Sequence, residues 1–343
     1  MKVFHMDLKH FSGVFGVYEG TEPICTGAAG LADRNFSVPN DAKFSYQTAS
    51  GTKGFTAAVI LALAAEGRLG LDDGVKDILL KNGGTGRYGA LEWLREDVTI
   101  RSLLGHTSGV PDYYDEETTD DFDSALRGAA NYHYEKPEDF FPLTEAVWKE
   151  QKAPYAARGR FKYSNGGFVL LAAAAEAASG ESFRDCAARA VFSPAGMDKS
   201  GFFRFDAPAP EGIVRADAYR KNGRSNIYAV PVIGGGDGGA YTNPGDMAKF
   251  WTRLDPDLHP GDPAAPLIGE AWTPRQEGDD GLYGLGFWIR NDDPRLVFLE
   301  GFDPGVQFFS YYNRDTKRSL TVCLNDENMD CDEVFERYFD LIK

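Results

Sequence analysis

Toward the C-terminal end, four runs rich in β-branched and aromatic residues, "YGLGFWIR", "RLVFLE", "VQFFSYY" and "RSLTVCLN", follow one another with short turns between them. In the last, Leu320, Val322 and Leu324 alternate with Ser319, Thr321 and Cys323, the period of two expected of a strand. Four such runs in succession predict an antiparallel sheet. Near the N-terminus, "FSGVFGVY" and "PICTGAAG" predict a hairpin, and the closing "CDEVFERYFDLIK" is amphipathic and predicts a helix covering one face of the sheet. Between these ends the period changes. From Ser50 to Gly67 the apolar residues Phe55, Val59, Ile60 and Leu63 recur at helical spacing and Gly70 follows as a stop, which predicts a helix. Residues 73–205 read as mainly helical, with polar connections such as "DYYDEETTDDFD", expected to be an exposed acidic loop. After them "IYAVPVI" predicts a strand, and "NPGDMAKFWTRL" a helix with Asn243 as cap and Pro244 at its first position.

Strands at both ends with helices between them predict an α+β fold: an antiparallel sheet from the N- and C-terminal segments, flanked by helices, with a mainly helical inserted subdomain. Residues 1–72 and 228–343 are assigned to the sheet subdomain and 73–227 to the helical one, with the active site between them. The 343 residues are enough for one large domain or two interleaved ones.

Charge narrows the partners. With 36 Lys plus Arg against 52 Asp plus Glu, a formal charge of −16 argues against nucleic acid and anionic membranes. No apolar run approaches the roughly 18 residues that span a bilayer, and "MKVFHMDLKHFSG" lacks the apolar core of a signal peptide. Cys25, Cys186, Cys323 and Cys331 show neither disulfide-framework density nor C-x-x-C spacing, so they are expected as buried thiols of a cytoplasmic protein. His-Glu-x-x-His and Walker patterns are absent, and no metal or cofactor is implied.

Two local patterns carry chemistry. A serine hydroxyl needs a neighbouring base, and Ser50 and Lys53 lie three apart on the predicted helix, close enough for the amine to reach the hydroxyl. At a helix start the Ser50 N–H also points outward, where it can meet a developing oxyanion. The alternative is a plain N-cap and a surface lysine. This is the chain's one Ser-x-x-Lys, and the apolar residues after Lys53 favour its burial. Tyr-x-Asn occurs at Tyr163–Asn165, Tyr241–Asn243 and Tyr311–Asn313. Tyr311 falls in a predicted strand and Asn243 in a predicted cap, whereas Tyr163 lies in a loop leading into the apolar "GGFVLLAAAAEAA". "GTGRYG" at Gly84 and "GGGDGG" at Gly234 match a dinucleotide-binding pattern without its strand lead or its room for a pyrophosphate, and read as turns.

These segments resemble the serine β-lactamase and penicillin-binding-protein superfamily, nearest its class C β-lactamases, D-Ala-D-Ala carboxypeptidases and family VIII carboxylesterases. "FSYQTASGTKGFTA", "TIRSLLGHTSGVPDY", "GRFKYSNGGFVLLAAAAE" and "GGAYTNPGDMAKF" follow in the family's order. The resemblance implies Ser50 as acylated nucleophile, Lys53 and Tyr163 as its proton carriers, Asn165 as a substrate-binding residue and His106 as a loop-fixing one. It also implies that Leu299, Glu300 and Gly301 stand where relatives carry Lys-Thr-Gly or His-Thr-Gly, with Phe302 supplying the second oxyanion N–H. An aliphatic residue at the cation position favours neutral esters or amides, with carboxylesterase-like specificity, over β-lactams. β-Lactams and D-alanyl peptides, as for a β-lactamase or a D-alanyl carboxypeptidase or aminopeptidase, are the alternative substrates, with Arg275 or Arg290 as substitute cations. A non-catalytic penicillin-binding or sensor protein is the second alternative.

Overall fold

The structure is a computed structural model that describes residues 10–82, 86–89, 91–114, 131–153, 155–278 and 281–343. The "MKVFHMDLK" start, most of the acidic segment of 112–123 and part of "GTGRYG" lie outside these residues.

Twelve strands are formed among the described residues: β1 (Gly13–Glu19), β2 (Glu22–Ala29), β3 (Leu31–Asp33), β4 (Val38–Pro39), β5 (Tyr46–Gln47), β6 (Tyr241–Thr242), β7 (Gln276–Glu277), β8 (Leu282–Tyr283), β9 (Trp288–Ile289), β10 (Leu296–Asp303), β11 (Val306–Asn313) and β12 (Arg318–Leu324). Eight of them make one sheet in the order β2-β1-β12-β11-β10-β9-β8-β7. Every pairing in it is antiparallel, and β1 lies along β12 from Gly13 opposite Leu324 to Glu19 opposite Arg318, so strands from early and late in the sequence are neighbours within the sheet. The expected α+β architecture and N-terminal hairpin are both present.

Two helices fix the centre of the molecule, α1 (Thr52–Ala65) and, after α2 (Val75–Asn82), α3 (Ile100–Leu104) and α4 (Phe141–Glu150), α5 (Asn165–Ser179). Both are apolar almost all round and buried almost throughout, which suits helices with protein on every side. They pack on each other in a core that includes Phe55, Phe168, Phe250, Trp251 and Phe308. The opposite face of the sheet, with Phe15, Val17, Leu320 and Val322, is covered by the helix Asp332–Tyr338 and the turn Phe339–Ile342. Asn243 caps the helix Pro244–Leu254, as expected.

Three details differ from the sequence reading. The helix expected from Ser50 begins at Thr52, after a 3₁₀ turn over Ala49–Gly51. "YGLGFWIR" forms two short strands instead of one, because its glycines turn the chain back on itself. "IYAVPVI" is a series of turns and bends, since Pro231 has no N–H for a ladder and the segment lines a cleft. Of the four free cysteines, three are buried and Cys25 is half-buried. No helix among the described residues is long and apolar enough to cross a membrane.

Candidate active site

The segment before α1 is held at three places. β5 pairs with β6, Thr48 N–H donates to the Ala240 carbonyl at 2.9 Å, and the Ala49 carbonyl accepts from Thr52 Oγ1 at 2.7 Å. Ala49 is fully buried with φ +45°, a left-handed conformation that costs a non-glycine residue on the order of 1 kcal/mol and persists where surroundings enforce it. This bend places half-buried Ser50 on a 3₁₀ turn with Lys53 one turn further on.

Lys53 is 3% exposed, although lysine is seldom buried without partners. Its Nζ lies 3.0 Å from Ser50 Oγ, 2.7 Å from Asn165 Oδ1 and 2.6 Å from the Asp237 carbonyl oxygen. It also sits 4.9 Å from the centre of the Tyr163 ring and 5.7 Å from that of Phe168. The surface-lysine alternative therefore does not hold, and the formal N-cap of α1 is Gly51.

Tyr163 and Asn165 arrive together at the N-terminus of α5. Ser164 caps that helix by accepting from Gly167 N–H at 3.0 Å. Asp112, buried, adds a second anchor: Oδ1 accepts from Asn165 N–H at 3.0 Å and Gly166 N–H at 3.3 Å, and Oδ2 from the Asn165 side-chain amide at 3.1 Å. Burial raises the Asp112 carboxyl to about 7 against the pull of those N–H groups and of Lys53. His106, with φ +53°, is buried, and its Nδ1 accepts from Ser164 N–H at 3.1 Å. Its proton is therefore on Nε2, which meets no hydrogen-bond acceptor among the described residues and is surrounded by the rings of Phe161, Tyr163, Phe168 and Tyr283. Burial, then the Lys53 charge, hold the imidazole well below its usual range, so His106 is neutral and acts as a loop fastener.

β10 closes the other side. At Gly301 a side chain would lie 2.4 Å from the Thr48 carbonyl oxygen and 2.6 Å from Ser50 N, so only glycine lets the strand lie against the Ser50 turn. Phe302 is exposed and lines the cleft in front of Ser50 and Asn165. Leu299 is 2% exposed and packs toward Gly54 on α1, away from the cleft lining. Thus Ser50, Lys53, Tyr163 and Asn165 converge, Gly301 and Phe302 border them, and Leu299 belongs to the core. Arg275 pairs with Glu270 at 2.5 Å and Arg290 with Asp292 at 2.6 Å, and neither lines the cleft.

Sequence reasoning passed over Asp112, Tyr113 and Asp237. The Asp237 carboxylate accepts a short hydrogen bond from the Tyr113 hydroxyl, and burial raises the Asp237 carboxyl despite Lys53 nearby. The signal was present: Asp112 follows the His-Thr-Ser-Gly block directly, and Asp237 interrupts a glycine run. Among the described residues, no group of three or more His, Cys, Asp or Glu could hold a metal ion. The arrangement can remove a proton from a serine hydroxyl and hold an acyl group beside it.

The Beta-lactamase family model matches residues 5–341. Penicillin-binding protein 4* of Bacillus subtilis (strain 168) is 28% identical over 344 residues, covering 93% of this chain and 69% of that protein. Among solved structures, a penicillin binding protein from Bacillus halodurans is 34% identical with a TM-score of 0.82, covering 96% of this chain and 97% of the other. A D-stereospecific amidohydrolase from Streptomyces sp. is 25% identical with a TM-score of 0.69, covering 95% and 93%.

Proposed function

The chain belongs to the Beta-lactamase family, and from that premise we propose that it is a serine hydrolase cleaving carboxylate-free ester or amide bonds through an acyl-enzyme on Ser50. Ser50 Oγ attacks the substrate carbonyl while its proton passes to Lys53, and Tyr163 returns a proton to the leaving group. The N–H groups of Ser50 and Phe302 receive the oxyanion, and water then releases the acyl group. The observation that carries the reading is the 3.0 Å contact between Lys53 Nζ and Ser50 Oγ at a buried lysine.

Specificity follows from charge. The described residues lining the cleft include Asp237 and Asp303 and no lysine or arginine, so a substrate carboxylate would lose its water without gaining a cation. Short neutral esters are therefore the favoured substrates. A second reading, amides or esters of amino acids with a free ammonium group, draws on the same two aspartates and on the amidohydrolase neighbour. The test is intact-protein mass and product release after mixing with a chromogenic acetate ester, an alanine amide, a penicillin and a D-alanyl dipeptide. Turnover of the first or second with little of the last two is expected. Efficient penicillin hydrolysis would overturn the charge argument, and adduct formation without turnover would make the protein a penicillin-binding one instead.

A further inference from the structure

The hydrogen-bond neighbours of Lys53 Nζ described above differ in what they can give. The Asp237 carbonyl and Asn165 Oδ1 only accept, at 2.6 and 2.7 Å, whereas Ser50 Oγ, at 3.0 Å, carries a proton. A neutral amine directing its two N–H bonds at the two carbonyls turns its lone pair toward Ser50, as a base must. This holds only while Asn165 presents oxygen. Rotated half a turn, the same amide would point its NH₂ at the lone pair and compete with the Ser50 hydroxyl.

The rotation is fixed from the far side. Asn165 Nδ2 donates to Asp112 Oδ2 at 3.1 Å, and above about pH 7, where Asp112 is ionised, its carboxylate can only accept. The other Asp112 oxygen is committed to the N–H groups of Asn165 and Gly166, at 3.0 and 3.3 Å, and to that of Tyr114 at 3.3 Å, so the carboxylate cannot turn away. We propose that Asp112 is a positioning residue: it holds the Asn165 amide with its oxygen toward Lys53, and so reserves the lysine's lone pair for the proton of Ser50. This rests on the Ser50 reading above. It assigns no contact with substrate to Asp112.

Exchanging the two side chains separates this role from a structural one. In Asp112→Asn the new carbonyl must serve the backbone N–H groups, so its NH₂ faces Asn165 and drives the rotation. In Asp112→Asn with Asn165→Asp, that NH₂ donates to the new carboxylate, whose other oxygen again accepts from Lys53. The readout is the rate of labelling by a fluorophosphonate, in which Ser50 Oγ bonds to phosphorus, fluoride leaves and the serine proton passes to Lys53. Asp112→Asn should slow labelling about tenfold or more, and the exchange should recover most of that loss. Their pH profiles should move in opposite directions. Lys53 is faced by Asp237 and Tyr113, by Tyr163 and His106, and by Asp112 across Asn165. Removing the Asp112 charge and opposing a donor to Lys53 disfavours its ammonium and shifts the acid limb to lower pH; a carboxylate at 165 shifts it higher. If Asp112→Asn does not fold, the exchange is compared with Asn165→Asp alone, where two carboxylates oppose each other and labelling should be slower than in the exchange. An unchanged rate and acid limb in folded Asp112→Asn, or an exchange no better than Asn165→Asp, overturns the proposal. Wild type that is not labelled removes the Ser50 reading and this inference with it, whereas labelled wild type with an indifferent Asp112→Asn removes the inference alone.

Discussion

His106 shows how a single side chain can hold a site together without joining its chemistry. It fixes the start of the Tyr163–Asn165 segment by accepting one backbone hydrogen bond, in a pocket of rings that penalises its charged form. That penalty has a pH signature. The unfolded chain carries an ordinary histidine, titrating near pH 6.5, while the folded protein keeps the ring neutral to well below that value. As pH falls through 6.5 the unfolded state binds a proton that the folded state refuses, so stability is present above that pH and lost below it. Urea unfolding should therefore show wild type losing stability between pH 7.5 and 5 by on the order of 1 kcal/mol more than His106→Asn, since asparagine keeps an acceptor and tolerates the positive φ. Asp112 acts in the opposite sense: raised to about 7, it favours the folded state from about pH 4 downward and gives that contribution up as pH rises through 7. Because both proteins retain Asp112, the difference between them isolates the imidazole. Equal losses in the two would contradict the buried neutral ring.

At the scale of elements, the site is a meeting of one turn, one helix end and one strand, and the strand's contribution is steric. Gly301 lets β10 touch the backbone of the Ser50 turn, so Gly301→Ala should push the two apart and displace the oxyanion donors. Labelling of Ser50 is expected to slow by about 10²-fold while the sheet survives, measured by labelling rate beside circular dichroism. A variant that labels normally would show that the close approach is not needed. The helix α1 and the Tyr163 loop were legible because their signals are local: an apolar run, a lone Ser-x-x-Lys, a loop before a buried helix. The exact start of α1 was not. The bend at Ala49 depends on packing around it, with Ala218 and Val306 brought in from far along the chain, and no local pattern encodes it. "IYAVPVI" misled for a related reason, since its apolar residues face a cleft wall and a core edge without strand partners. Leu299 was placed on the right strand by its block, but burial against Gly54 follows from the packing of α1 beneath the sheet. Asp112 and Asp237 gain their meaning only when two loops 125 positions apart close over Lys53, so each looked like ordinary turn chemistry in the sequence.

Across the whole molecule, the order of strands explains why both chain ends matter to a site made in the middle. β1 and β12 lie side by side, β11 joins them to β10, which meets the Ser50 turn directly, and the helix Asp332–Tyr338 seals the outer face, where Tyr338 stacks on Phe15 at 4.6 Å. This architecture was readable from strands at both ends of the sequence and helices between. Removing residues 331–343 should bare Phe15, Val17, Leu320 and Val322 and yield protein that binds a hydrophobic dye and loses its cooperative thermal transition. A truncated chain that melts like the full one would contradict the role given to that cover. The central claim, however, concerns one oxygen atom, and one measurement addresses it most directly: peptide mapping by mass spectrometry of wild type and Ser50→Ala after brief exposure to a fluorophosphonate. The adduct is expected on the peptide containing Ser50 in wild type and absent in the variant, with unchanged melting temperature to show that the fold remains. An adduct on any other residue of wild type, or labelling that persists in Ser50→Ala, would contradict the account.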